Sequence, residues 1–148
     1  MNTTERAPLP KTVTAADVKH ALDRVVDDDP ARTDRRIEAH LNPRYLDQGQ
    51  PTCLVAELLI ELGYRTALLR DLDREHSVGH VAATGVRIHE SRHPALKRLD
   101  PKARRLLQFL QNRQDRGQCW DFIAEQAFRP KPVWTLPRID RRDRPWLY

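Results

Sequence analysis

Apolar positions recur at helical spacing in several stretches of the chain, and each stretch is bounded by residues that start or stop helices. Val18, Leu22, Val25 and Val26 follow Thr14, and Thr14 with Asp17 has the Ser/Thr-x-x-Asp/Glu form of a capping box. Three consecutive carboxylates at a helix C-terminus oppose its macrodipole, so Asp27-Asp28-Asp29-Pro30 is expected to be an exit loop. A short second helix is predicted over Thr33 to Leu41, stopped by Asn42-Pro43. Tyr45 to Gln50 is expected to be loop. Thr52 is then predicted to cap a helix whose Leu54, Val55, Leu58, Leu59 and Leu62 share one face, with Gly63 at the left-handed position after its end. Five buried aliphatics at about 1.5–3 kcal/mol each would make this helix the centre of the core.

Thr66 opens a further short helix through Leu68, Leu69 and Leu72. Residues 76–93 read as mainly irregular. Asp100-Pro101 pairs an N-cap residue with proline at the first helical position, and Leu106, Leu107, Phe109 and Leu110 supply the apolar side. That helix is expected to run to Arg116 and close at Gly117. A last helix, from about Gln118 to Phe128, offers Trp120, Ile123, Ala124, Ala127 and Phe128 to the core. The pattern predicts a small all-α, single-domain bundle of about five helices. Its parts are a disordered leader at 1–12, a helical domain at 13–128 and an extended C-terminal arm at 129–148.

The stretches GQPTCLVAELLIELG (49–63) and RQDRGQCWDFIAEQAF (113–128) resemble those of small helical proteins of actinobacteria and their phages. The resemblance covers about half of the chain. It implies a core helix and a helical hairpin, and it brings no activity.

Length and composition narrow the function classes. A chain of 148 residues buries about 70% of its unfolded surface, enough for a core without disulfides or metal. No apolar run approaches the ~20 residues of a membrane span, and Met1 to Pro10 lacks the apolar stretch of a signal peptide. Two cysteines 66 positions apart then point to free thiols in a reducing, cytoplasmic setting. The net charge is +5 and uneven. Residues 1–30 carry four basic and six acidic side chains, whereas residues 129–148 carry six basic and two acidic. A polyanion is attracted to the second region.

The arm is therefore the first candidate site. Arg129, Lys131, Arg138, Arg141, Arg142 and Arg144 interleave there with Trp134, Trp146 and Tyr148. Arginine pairs with phosphate and aromatic rings stack on bases, so the composition suits single-stranded nucleic acid. Tryptophan and arginine also dominate protein interfaces, so it suits docking on an acidic protein surface. A third outcome is that the arm folds back and both tryptophans cover the core.

The second candidate is His89-Glu90-Ser91-Arg92-His93, which fits the H-E-x-x-H of zinc hydrolases. There, two histidines one helical turn apart bind the metal and the glutamate activates its water. Pro94 argues against the required helix, because it disfavours α conformation at His93 and its ring clashes with the carbonyl of Glu90. His76 and His80 add two imidazoles nearby without a defined geometry. Cys53 is expected at a helix N-terminus, where the dipole favours thiolate, although a buried inert thiol is the plainer reading. Cys119 reads as core. A helix-turn-helix reading of 101–128 meets Arg113 where a small residue is wanted and Gln118 where an apolar one is.

These observations favour a non-enzymatic interaction or regulatory protein that needs no cofactor. It would bind an anionic partner, nucleic acid or an acidic protein surface, through residues 129–148. Zinc-dependent hydrolysis by His89, Glu90 and His93 is the alternative.

Overall fold

In a computed structural model of the chain, the structure describes residues 12–34, 36, 44–77, 88 and 91–128. Five α-helices form the body: α1 (Ala15–Asp28), α2 (Leu54–Glu61), α3 (Thr66–Ser77), α4 (Pro101–Gln114) and α5 (Trp120–Phe128). A two-stranded hairpin, β1 (Leu46–Asp47) and β2 (Gln50–Pro51), precedes α2, and a 3-10 turn, Pro94–Arg98, precedes α4. The mostly helical class follows the apolar pattern. The helix expected over 33–41 and most of the stretch 76–93 lie outside the described residues.

Local signals set most helix ends. The capping box of α1 is complete: the Asp17 amide donates to the Thr14 hydroxyl, and the Thr14 amide donates to the Asp17 carboxylate at 2.9 Å. At α4 the Asp100 carboxylate accepts from the Ala103 amide at 2.7 Å, with Pro101 in the first turn. Helix α2 ends in a Schellman motif. The Tyr64 amide donates to the Leu59 carbonyl, the Gly63 amide to that of Ile60, and Gly63 takes a φ of +105°.

Two expectations at the start of α2 need correction. Tyr45 to Gln50 is not plain loop. Leu46 pairs with Pro51 and Asp47 with Gln50, around a two-residue turn in which Gln48 and Gly49 both have positive φ. Nor is Thr52 the cap of α2. The N-cap is Cys53, without a side-chain bond, and the Thr52 hydroxyl donates instead to the Arg44 carbonyl at 2.7 Å. The acceptor that α2 needs comes from 59 residues away, where the Gln114 Oε1 takes the Val55 amide at 2.9 Å.

Direction follows from these ties. Val13 bridges Leu99 in parallel fashion, and the Asp100 amide donates to the Val13 carbonyl at 2.9 Å. Helices α1 and α4, each of 14 residues, thus start side by side and run the same way. Helix α2 runs against both and is apolar on nearly every side, with Leu54, Val55, Ala56, Leu58 and Leu59 buried between them. Helix α5 also returns. The Trp120 and Asp121 amides at its start donate to the Arg32 and Pro30 carbonyls just beyond α1, and near its end Phe128 lies under the Lys19 ammonium. The bundle therefore has a first end, where α1 and α4 begin and α5 finishes, and a second end, where α1 and α4 finish.

Candidate functional site

The arm residues Arg129, Lys131, Trp134, Arg138, Arg141, Arg142, Arg144, Trp146 and Tyr148 lie outside the described residues, as do His89 and Glu90. His93 is described. It is the N-cap of the 3-10 turn, with φ −57° and ψ 129°, and residues 91–93 are not helical. Its Nδ1 accepts the Ala95 amide at 3.1 Å, so the ring proton sits on Nε2, which faces the Asp71 carboxylate at 2.9 Å. Both nitrogens are committed to structure, and the single-turn geometry of H-E-x-x-H is not present at its second half. Among the described residues, no group of three His, Cys, Asp or Glu side chains is placed to hold a metal ion.

The first end of the bundle carries a charge pattern that block-by-block counting hides. Residues 91–105, the segment at this end, hold six basic side chains and one acidic, a net +5, masked in the sequence by the acidic stretches before them. Arg92, Lys97, Arg98 and Lys102 are exposed. Arg104 ties their segment down, donating to the Ser91 carbonyl at 3.2 Å and the Leu96 carbonyl at 2.7 Å. Among the described residues, Asp100 and Asp17 cap helices and Asp71 holds His93. Two helix N-termini open on this end and add their positive poles. At the second end, Asp27, Asp28, Asp29 and Asp121 are exposed.

The second end also encloses a polar cluster that periodicity does not reveal. Gln111 and Gln114 are buried on α4 three residues apart. The Gln111 amide nitrogen donates to the Tyr45 hydroxyl at 2.9 Å, and its Oε1 accepts the Ile88 amide at 3.2 Å. Cys53 is buried beside them, and Asp34 is fully buried, with its Oδ1 accepting the Arg36 amide at 2.8 Å. Burial, and then the negative charge of Asp34, push the Cys53 thiol well above its usual range, so the helix N-terminus does not yield a thiolate. Burial likewise raises the Tyr45 phenol. Asp115, in the α4–α5 turn, is pushed up to about 7, chiefly by burial and further by Asp34. The cluster thus holds its thiol and phenol neutral, and it offers no activated nucleophile. Arg32 closes the same end: it stacks on Trp120 at 4.3 Å and pairs with Glu57 at 3.1 Å. Cys119, expected in the core, is instead half-exposed, with its Sγ against the Asp121 carboxylate at 2.9 Å.

Compared with protein-family models, with curated proteins and with solved structures, the chain matches none. No helix among the described residues is long and apolar enough to cross a membrane.

Proposed function

We propose that the protein is a non-enzymatic interaction module that binds an anionic partner, with residues 129–148 as its main contact. The observation that supports this most is positional. Helix α5 delivers Phe128 to the end of the bundle where Lys19 lies and where α1 and α4 begin. The segment that carries six more basic side chains thus begins at the end that already exposes Arg92, Lys97, Arg98 and Lys102. Charges gathered at one end attract a polyanion far more strongly than the same charges scattered, because their fields add within a Debye length of about 8–10 Å.

Retention on immobilised heparin tests this reading. Full-length protein is expected to elute at markedly higher salt than a chain truncated after Phe128, while both keep the same helical circular dichroism. Equal elution would remove the arm from the contact. Loss of helicity on truncation would make the arm part of the core, and the proposal would lose its basis.

A further inference from the structure

We infer that the folded domain itself carries a nucleic-acid phosphate surface, formed by Arg92, Lys97, Arg98 and Lys102 where α4 begins. This rests on the reading of an anionic partner and narrows it to one class. The four side chains are exposed within one short segment that the Arg104 guanidinium holds against the first turns of α4. Two neighbouring carboxylates have structural partners: Asp100 accepts the Ala103 amide, and Asp71 is bonded to His93. The exposed cations lie beside the N-terminal ends of two parallel helices.

For the folded domain, the choice between nucleic acid and an acidic protein surface follows from which of its described side chains are exposed. A protein interface draws its energy from large apolar or aromatic anchors that become fully desolvated at its centre. Among the described residues, the one large hydrophobic side chain that is exposed is Phe122. It sits in the first turn of α5, at the second end, next to Asp121. Phosphate contacts need no such anchor. They come from Arg, Lys and helix N-termini, and they position a duplex or strand without reading its bases.

Counter-ion release gives the test a readout that lost affinity alone does not. Full-length protein is titrated into fluorescein-labelled DNA of about 20 nucleotides, single-stranded and duplex, at about 50 to 200 mM NaCl, followed by anisotropy. Each phosphate contact contributes roughly 0.7 (single strand) to 0.9 (duplex) to the slope of log K against log salt. The full-length variant R92A/K97A/K102A is expected to lower that slope by about 2 to 3 and to keep the wild-type melting temperature. A wild-type slope in this variant, with a reduced slope in the arm variant R138A/R141A/R142A/R144A, would overturn the domain surface and leave the arm reading intact. Binding of polyglutamate in preference to DNA would overturn the nucleic-acid assignment while keeping an anionic partner. Binding of neither polymer would overturn both.

Discussion

Asp115 makes the stability of this fold depend on pH in the direction opposite to that of an ordinary salt-bridged carboxylate. Its carboxyl is raised from 3.8 to about 7, first by burial and then by the negative charge of Asp34, while Gln114 offsets part of the rise. The folded chain therefore holds this proton more tightly than the unfolded chain does. The stabilising contribution is complete below about pH 4 and is lost as the pH rises through about 7. A separation of about three pH units at about 1.4 kcal/mol each sets an upper bound of about 4 kcal/mol. Asp115 is only half-buried, and screening by water brings the expected value nearer to about 2 kcal/mol. That is a sizeable share of the 5–15 kcal/mol that stabilises a typical domain. Asp115→Asn removes the titration and keeps an oxygen for the Gln114 amide, which now donates to the Asp115 carboxylate at 3.4 Å. Urea unfolding of both proteins, measured from pH 4.5 to 8.5, isolates the effect, because other titrating groups cancel in the difference. The variant should match wild type at the acid end. At pH 8 it should exceed wild type by about 2 kcal/mol, a midpoint shift of about 1 M urea. A difference that stays flat across the range, or wild type gaining on the variant as pH rises, would refute the argument.

Two further outcomes follow from the second end of the bundle. Gln114→Met keeps the volume but strips the acceptor from the Val55 amide, so it should cost about 1–3 kcal/mol in urea unfolding; wild-type stability would show that this long-range cap contributes nothing. Thiol titration of the native protein should find one accessible cysteine, Cys119, slowed because the Asp121 carboxylate raises its thiol, with Cys53 reacting only on unfolding; equal native rates would contradict the burial of Cys53.

What could be read from the sequence was what the chain determines within a few residues of itself. Thr14 with Asp17, Asp100 with Pro101, and Gly63 each carry their partner or their conformation locally, and each set a helix end as expected. The predictions that failed at the start of α2 and within α4 turn on contacts outside the helix concerned, while the Asp27-Asp28 pair, expected in a loop, closes the last turn of α1. Thr52 has the composition of a cap, yet its hydroxyl is drawn to the Arg44 carbonyl by the hairpin, and α2 takes its acceptor from Gln114. Gln48-Gly49 is a weak turn signal beside Asn-Gly or Asp-Gly, so the hairpin was hidden. Gln111 and Gln114 look like solvated positions of an amphipathic helix, and only the packing of α2 and Tyr45 against them makes them buried bridges. Cys53 shows the same limit from the side of chemistry. Its place at a helix start was foreseen, but burial outweighs the helix dipole.

The parallel pairing of α1 and α4 is what turns these local facts into a polar molecule. Neighbouring helices joined by short loops run antiparallel, and their dipoles cancel. Here the Val13–Leu99 bridge starts two 14-residue helices at the same level, although 86 positions separate the bridged residues. Their positive poles then add at one end, and the exposed Arg92, Lys97, Arg98 and Lys102 lie on that same end. The caps Asp17 and Asp100 partly neutralise those poles, which would leave the side-chain cations as the larger source of field. Binding of a polyanion should therefore fall strongly with Lys97→Ala and Lys102→Ala and change little with Thr14→Ala, which frees the Asp17 amide and removes no charge. A clear gain in binding on Thr14→Ala, with little loss from the lysine changes, would mean that helix ends, rather than side chains, hold the partner.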